Sequence, residues 1–403
     1  MRRLVLLTNE YPFAYGDTAF VEREIAALVE AFDEVHVFNC TAGESPSVPL
    51  PAGVTYRGNL YPSRRREILL AALSPRRVRI AARAWRSERR AGVGAAQFGA
   101  FAAACARGMR MAAGRRVRES FDDGADITLY SFWGLGGGLA VPWLVDRAQG
   151  AFVRVHRYDL YESPGYLPFR AHLYAAVDAV LAVSAHARDY IAERHPGANV
   201  VVSRLGTPDP GALPEPRGEG RPRLVVSCSH VIPVKRVERI FEAVEAAGQG
   251  TALRWVHFGG GAEFGALQDR VRSARIEAEL RGQTPHDDVI DFYGREYVDA
   301  FINLSESEGV PVSIMEAMSF DIPIVATDVG GTSEIVTAEA GRLVDPNPRT
   351  EQVAASISEV LALRERFHSR DVWAELCDSE RNSRATAGVL LGRPDPQKPS
   401  AAL

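Results

Sequence analysis

Two glutamates eight residues apart, Glu308 and Glu316, flank a Gly-Val-Pro turn in the segment SESEGVPVSIMEAM. The pattern predicts a strand in AFINLS before the turn and a helix in VSIMEAM after it, with Pro311 in the first helical turn. Over a continuous helix this spacing is ~12 Å, which is too long for one small cation. A long polar ligand could contact both carboxylates. The alternative is a surface glutamate followed by one that stabilises a helix N-terminus.

A second candidate is SCSHVIPVKRVERIF, residues 227–241, which runs from a strand end through a proline loop into a helix. Lys235 and Arg236 stand where that helix is predicted to begin. A helix N-terminus attracts anions, and two cations added there make a phosphate site. The 47 basic residues include only Lys235 and Lys398 as lysines, which favours a need for a point charge here. The alternative is a solvated basic pair.

Loops after other predicted strands give weaker candidates. Gly16 follows the first strand in YPFAYGDTAFVEREI, DVGGTSEIV contains a paired-glycine turn, and His156 ends a strand in VHRYDLY. Structural turns and a packing histidine are the alternatives. HFGGGAEF and FWGLGGG do not complete a dinucleotide fingerprint, and the GxxxxGK[ST], GxSxG and HExxH motifs are missing from the sequence.

Short Val- and Ile-rich runs alternate with amphipathic stretches along the whole chain, which predicts an α/β fold with parallel sheets. The 403 residues favour two domains, and GTPDPGALPEPRGEGRPR has the composition of a linker. No run of 18 apolar residues predicts a transmembrane helix. The four scattered cysteines fit a reducing cytoplasm and predict neither disulfides nor a zinc site. The predicted parts are a first domain at 1–205, a linker at 206–222, a second domain at 223–370 and a disordered tail at 388–403.

Charge is unevenly distributed. The net charge of −4 disfavours nucleic-acid binding, but Arg57–Arg118 contains sixteen arginines and two acids. Residues 67–118 have a helical pattern and form an insertion or cap in the first domain. We expect this region to bind an anionic membrane surface. The alternative is an arginine-rich helical surface that reflects genomic composition.

These segments resemble family 4 retaining glycosyltransferases of the GT-B fold, from about residue 4 to about residue 387. The most specific part is AFINLSESEGVPVSIMEAMSFDIPIVATDVGGTSEIV, which is similar to the family's Glu-x7-Glu signature and the Gly-Gly-x-x-Glu turn after it. SHVIPVKRVERI is similar to its diphosphate motif, YPFAYGDTAFVEREI to its N-terminal glycine loop, and VHRYDLYE to the end of its acceptor domain. The likeness is greatest to members from bacterial polysaccharide pathways.

The resemblance implies two Rossmann-like domains that face each other across a cleft, with a helix at 371–387 that returns to the first domain. It also implies roles for the residues around the two glutamates. Glu316 would hold the ribose hydroxyls of a nucleotide. Glu308, with the amides of Gly309 and Val310, would face the donor sugar.

Further roles follow from the same resemblance. Lys235 would bind the diphosphate, Gly16 would let the backbone approach it, and His156 would reach the site from the first domain. His230 stands where the family usually has an arginine, five residues before the lysine. Arg236 or a protonated His230 would then supply the missing charge.

The sequence therefore predicts a cytoplasmic, retaining glycosyltransferase of hexosyltransferase type, with a peripheral location on the inner face of the membrane. It would move a sugar from a nucleoside diphosphate to a glycan or lipid-linked acceptor in polysaccharide biosynthesis. Neither a metal nor another cofactor is expected, because fixed cations and amides can stabilise the leaving diphosphate. A GT-B epimerase or phosphorylase stays open, and so does a non-catalytic sugar-nucleotide-binding descendant. Donor conversion without transfer would indicate an epimerase, and donor binding without turnover would indicate the binding protein.

Overall fold

The computed structural model describes residues 1–41, 46–61, 74–122, 124–161, 165–216, 218 and 220–393. The chain divides into two units. The first comprises Met1–Leu205 together with Glu380–Leu403, and the second comprises Gly206–Ser379. The second unit is therefore inserted into the chain of the first.

The first unit is built on a seven-stranded sheet with the order β3-β2-β1-β4-β5-β6-β7. All neighbouring strands are parallel. The strands are Arg2–Leu7 (β1), Glu34–Asn39 (β2), Val54–Asn59 (β3), Asp126–Ser131 (β4), Gly150–Val155 (β5), Ala179–Ala182 (β6) and Val200–Val202 (β7). The central strands are buried on both faces, as their near-continuous apolar sequences require.

Helices supply the two apolar layers of this unit. They are Thr18–Ala31 (α1), Pro75–Arg90 (α2), Phe98–Ala112 (α3), Arg115–Glu119 (α4), Val141–Leu144 (α5), Arg157–Leu160 (α6), Arg170–Ala176 (α7), Ala185–Arg194 (α8) and, after the second unit, Ser379–Leu390 (α15). The arginine-rich region contains α2, α3 and α4. Its residues 62–73 lie outside the described part of the chain, and so does the beginning of the predicted helical stretch, 67–73.

A buried polar group fixes α15 to the first unit. Arg154 on β5 is 1% exposed, and its guanidinium donates to Glu24 Oε2 on α1 at 2.5 Å. It also donates to Ser203 Oγ at 2.6 Å and to Thr386 Oγ1 on α15 at 3.0 Å. Because an unpaired buried guanidinium would be costly, these partners hold sheet, α1 and α15 in one arrangement.

The second unit has a six-stranded sheet with the order β10-β9-β8-β11-β12-β13, again parallel throughout. Its strands are Arg223–Cys228 (β8), Leu253–Phe258 (β9), Glu277–Leu280 (β10), Ala300–Asn303 (β11), Ile324–Thr327 (β12) and Gly341–Val344 (β13). Its helices are Val237–Ala247 (α9), Phe264–Val271 (α10), His286–Arg295 (α11), Val312–Ser319 (α12), Thr350–Ala362 (α13) and Ser369–Leu376 (α14). Apolar clusters lie on both faces of the sheet.

The two sheets share one topology. In each, the first and fourth strands are neighbours, and the strand order reverses between them. Ligands of open α/β sheets bind beyond the carboxyl ends of the strands at this switch point. In the first unit it lies between β1 and β4, and in the second between β8 and β11.

The structure differs from the expected boundaries at the C-terminal end. Residues 371–387 form parts of two helices, α14 and α15, and α15 continues through residues 388–390 of the expected tail. The break occurs because Thr207 pairs with this segment: its N–H donates to Cys377 O, and its carbonyl accepts from Ser379 N–H. The same pairing ties the start of the expected linker to the second unit. Residues 394–403 lie outside the described residues.

Candidate active site

An ion pair lies at the switch point of the second unit. Lys235 follows β8 and Glu308 follows β11, and Lys235 Nζ donates to Glu308 Oε1 at 2.5 Å. The carboxylate is nearly buried, with a side chain 9% exposed, whereas the lysine side chain is 23% exposed. Lysine has three donors, so two N–H groups of Lys235 besides the one used here can reach an anion.

Backbone contacts fix the loops that carry this pair. Glu306 N–H donates to Val234 O at 2.8 Å, which joins the two loops. Gly331 N–H donates to Gly309 O at 2.7 Å. Gly330 has φ of +56°, and a Cβ there would lie 1.9 Å from Glu308 O. A glycine is therefore required at position 330 by its backbone conformation and by close packing against the Glu308 loop.

Glu316 lies on α12 and is 7% exposed. Its Oε1 is 2.8 Å from Nε2 of His286, the first residue of α11, whose side chain is 54% exposed. Pro311 immediately precedes α12, and its carbonyl accepts from Ile314 N–H. Pro311 therefore lies one residue before α12, whereas the sequence predicts it in the first turn of that helix.

Cys228, at the end of β8, interacts electrostatically with one residue from each of the two contacts, Lys235 and Glu316. Burial and, to a smaller extent, the Glu316 carboxylate raise the pKa of its thiol to about 12, and Lys235 acts in the opposite direction. The thiol thus lies within electrostatic reach of both groups. Tyr293 on α11 is also fully buried there, and burial, Cys228 and Glu316 together raise its pKa. The structure therefore brings Lys235, Glu308 and Glu316 into one neighbourhood.

The remaining predicted residues of this unit lie on the same loops. Arg236 has a left-handed backbone conformation with φ of +51°, and helix α9 begins one residue after it. Its guanidinium binds Glu306 Oε1 at 2.9 Å and Pro346 O at 2.6 Å, so its charge is already paired. Lys235 lies in a short 3₁₀ turn before the helix, not at its first residue. His230 is exposed at the end of β8, and its ring has no hydrogen bond or ion pair to any described residue.

Gly309 and Val310 form the turn between Glu308 and α12. Gly309 is half-buried, and Val310 is 9% exposed and packs in the apolar layer with Ile314 and Met315. The Val310 side chain thus anchors the turn in the core. This leaves only the backbone of the two residues to contact a ligand.

In the first unit, Gly16 lies in the loop between β1 and α1 with φ of +66°. A Cβ at Gly16 would lie 2.5 Å from the Glu10 side chain. The next residue, Asp17, is 1% exposed, and its carboxylate accepts from the N–H groups of Asn9, Glu10 and Tyr11 at 2.7–3.0 Å. The loop is therefore tightly ordered around one carboxylate.

His156 follows β5 at the same sheet edge and is 9% exposed. Its ring packs 4.2 Å from Trp133, whose Nε1–H donates to Asp17 Oδ2 at 2.8 Å. Burial lowers the pKa of His156 well below 6.5, and Arg154 lowers it further. Both ring nitrogens are buried without a hydrogen-bond partner among the described residues. The structure thus makes His156 a neutral group beside the Gly16 loop.

Within the described residues, no three His, Cys, Asp or Glu side chains come close enough together to hold a metal ion. No helix in the described ranges combines the length and apolar character that crossing a bilayer requires.

Residues 213–375 match the family of glycosyl transferases group 1. This range covers most of the second unit, including both glutamates and Lys235. A GDP-mannose-dependent alpha-mannosyltransferase of Mycolicibacterium smegmatis is 29% identical over 224 residues, which are 51% of this chain and 56% of that protein. The chain spans about half, or less, of the length of the curated relatives it matches first.

Solved structures show the fold of the whole chain. The lipopolysaccharide outer core galactosyltransferase WaaB in its apo form has a TM-score of 0.65 at 14% identity, and the match covers 97% of this chain and 98% of that one. HepE of Anabaena in complex with UDP has a TM-score of 0.66 at 14% identity, covering 97% and 100%. The prediction of a GT-B fold with two Rossmann-like domains is confirmed.

Sequence reasoning did not find His286, Cys228, Asp17 or Trp133. Cys228 lies in the segment SCSHVIPVKRVERIF, but nothing in that segment relates it to Glu316. His286 has no motif around it, and Glu316 is 30 residues away in the chain. Asp17 could have been predicted from the sequence, because an acidic residue that follows a loop glycine at a helix start commonly accepts hydrogen bonds from loop N–H groups.

Proposed function

We propose that this protein is a retaining glycosyltransferase of hexosyltransferase type that uses a nucleoside-diphosphate sugar as donor. The observation that carries the proposal is the Lys235–Glu308 pair at the switch point of a unit that matches glycosyl transferases group 1. The acceptor is a glycan or a lipid-linked glycan of a polysaccharide pathway.

Charge at the site fits the departure of a diphosphate. As the bond to the sugar breaks, negative charge grows on the diphosphate oxygens. Lys235 is held in place by Glu308, so it can stabilise that charge without first being ordered. Glu308, with the Gly309 and Val310 amides, faces the sugar, and Glu316 holds the ribose. We also propose that the transfer reaction requires neither a metal nor a cofactor.

Roles in the first unit belong to the same proposal. The Gly16 backbone approaches the diphosphate. His156, being neutral, donates or accepts a hydrogen bond but carries no charge. Arg236 is already paired with Glu306, so we assign the fixed charge to Lys235, with His230 as the group in the place of the family's arginine.

Donor hydrolysis across several nucleotide sugars tests the proposal. Wild type should release the nucleoside diphosphate from at least one donor, whereas Lys235→Met and Glu308→Gln should release it at least ~100-fold more slowly. Glu306→Gln is the matched control, because that carboxylate is two residues away and binds Arg236 instead. The anomeric configuration of the released sugar, read by NMR at early times, tests retention. Epimerised donor without release would support the epimerase alternative, and binding without turnover would support the non-catalytic alternative.

We also propose a peripheral location on the cytoplasmic face of the membrane, through helix α2. Five of its six exposed arginines follow a spacing of three and four residues and lie along one stripe: Arg76, Arg79, Arg83, Arg86 and Arg90. Among the described residues, no acid lies within 4.0 Å of the last four. Residues 94–100 follow the helix, are all exposed and carry no charge, and Phe98 among them is 52% exposed. An arginine stripe beside an exposed apolar turn suits an anionic lipid surface.

Liposome co-sedimentation tests this location. Wild type should sediment with vesicles that contain phosphatidylglycerol and much less with pure phosphatidylcholine. Each arginine near such a surface contributes about 1 kcal/mol, so Arg79→Gln with Arg83→Gln should weaken binding markedly. Arg272→Gln with Arg295→Gln, two exposed arginines of the second unit, is the control. Equal sedimentation with both lipids would contradict the proposal.

A further inference from the structure

The contact between His286 and Glu316 has no place in the proposed reaction. Glu316 is the carboxylate assigned to the ribose hydroxyls, yet its Oε1 lies 2.8 Å from His286 Nε2. An ionised carboxylate only accepts hydrogen bonds, so the imidazole must donate through its Nε2–H. One of the acceptor positions that the ribose would use is therefore already taken in the ligand-free protein.

The two partners differ sharply in exposure. The Glu316 side chain is 8% exposed and the His286 side chain 54%. A hydrogen bond to a nearly buried carboxylate stabilises that carboxylate when no ligand is bound. A half-exposed imidazole loses less when the same contact breaks, because water can replace its partner. Losing the contact is thus more costly for the carboxylate than for the imidazole.

We propose that His286 is a ribose surrogate, which hydrogen-bonds Glu316 in the empty site and is displaced by the ribose of the nucleotide. This inference rests on the proposed function, because it takes Glu316 as the ribose-binding group. The contact competes with the ligand, so the apparent affinity falls in proportion to the fraction of molecules in which Glu316 is available. A contact present in about nine molecules of ten would weaken binding about ten-fold.

Protonation of the imidazole would turn the hydrogen bond into an ion pair and strengthen it. On its own helix, His286 faces Asp287, whose Oδ1 lies 3.6 Å from Nδ1, and Asp288 follows in the same turn. Both acids favour the charged imidazole. The surrogate should therefore compete better at low pH.

The other groups around Glu316 keep their charge between about pH 6 and pH 8. Lys235 stays paired with Glu308. The pKa of Cys228 is raised to about 12, and that of Tyr293 is raised well above its usual value, so both stay neutral. Imidazole is the side chain whose ordinary pKa lies close to this range, so His286 is the group that we expect to change charge.

Calorimetric titration with UDP and with GDP tests the surrogate, using the full chain at about pH 6 and about pH 8. His286→Ala should bind the preferred nucleotide ~3- to 10-fold more tightly than wild type, with the larger gain at the lower pH. His286→Gln keeps an N–H donor that does not titrate, so its affinity should depend less on pH than that of wild type and keep only the part due to the nucleotide phosphate. His368→Ala is the control, because His368 is another exposed histidine directly before a helix of the same unit.

The outcomes separate this inference from the proposed function. Unchanged or weaker binding by His286→Ala overturns the surrogate and leaves the function standing. The same pH dependence in His286→Gln as in wild type also overturns it, even where the alanine variant does not fold. Failure of wild type and every variant to bind either nucleotide overturns the proposed function and the surrogate together.

Discussion

At the Lys235–Glu308 pair, removing one partner should lower the free energy of unfolding more than removing the other, because the carboxylate is nearly buried and the lysine is not. Lys235→Met leaves a buried carboxylate unpaired and should lower the free energy of unfolding by about 3 kcal/mol. Glu308→Gln keeps the side-chain shape and leaves only a partly exposed ammonium, so stability should change by less than about 1 kcal/mol. Urea denaturation of the two variants checks this order, and equal losses would contradict it.

The two glutamates should affect different kinetic constants. Glu316→Ala removes contacts made to ribose throughout the reaction, so it should mainly raise KM for the donor. Glu308→Ala removes contacts to the reacting sugar, so it should mainly lower kcat. Hydrogen bonds to a charged group contribute about 1.5–3 kcal/mol each, which corresponds to roughly 10- to 150-fold. Steady-state kinetics with saturating acceptor measures both, and unchanged constants in both variants would exclude these residues from the site.

At the residue scale, the sequence indicated the right side chains but not their partners. Lys235 was conspicuous because lysine is nearly absent from the chain, and Glu308 and Glu316 because of their spacing. Their contacts depend on which strands become neighbours. His286 reaches Glu316 only because β11 lies in the middle of the sheet and α11 packs beside it. Such long-range pairing leaves no local pattern to read.

At the element scale, the Val- and Ile-rich runs that predict strands include every interior strand of both sheets and one edge strand, β7. The three strands that the pattern missed are β3, β10 and β13, with the sequences VTYRGN, EAEL and GRLV. Each lies at an edge of its sheet. These three edge strands are partly exposed, so they lack the continuous apolar run that marks a buried parallel strand. The strands that position the site are the interior ones, which explains why the site could be located without the edges.

The glycine turn between β12 and the following 3₁₀ turn gives an element-scale prediction. Gly330→Ala should disrupt the Glu308 loop, because its Cβ would meet Glu308 O at 1.9 Å and its φ is +56°. Gly211→Ala is the matched control, since Gly211 has φ of +77° but no atom within 4 Å of its Cβ position. The control should lose about 1 kcal/mol from backbone strain alone, and only Gly330→Ala should also lose donor hydrolysis. Equal activity in the two variants would show that the close contact is unimportant.

At the scale of the whole molecule, each unit contains a buried neutral histidine. Burial lowers the pKa of His257 to about 4 and that of His156 well below 6.5. Below about pH 6.5, each of these two histidines therefore binds protons more readily in the unfolded chain than in the folded one. Stability contributed by His257 should be complete above that pH and should be lost as pH falls toward 4. The slope is about 1.4 kcal/mol per pH unit for each such histidine.

Urea denaturation at about pH 7 and about pH 5.5 checks this pH dependence. His257→Gln keeps a polar partner for Ser227, whose Oγ lies 2.8 Å from His257 Nδ1, but does not titrate. The variant should lose about 1 kcal/mol less than wild type between the two pH values. An identical loss would mean that His257 is protonated equally in the folded and unfolded chains.

Helix α15 belongs to the first unit but is synthesised after the second unit, so the first unit can be completed only late in translation. Glu24, Arg154 and Ser203 leave the ribosome early, but Thr386 follows only after the entire second unit has been synthesised. Until then the first unit holds a guanidinium without one of its partners and an apolar layer without Val389 and Leu390. A chain stopped at Ser379 should therefore contain a protease-resistant second unit beside a first unit that is readily digested. Limited proteolysis of stalled nascent chains would show whether the first unit, whose synthesis begins first, is the last to complete its folding.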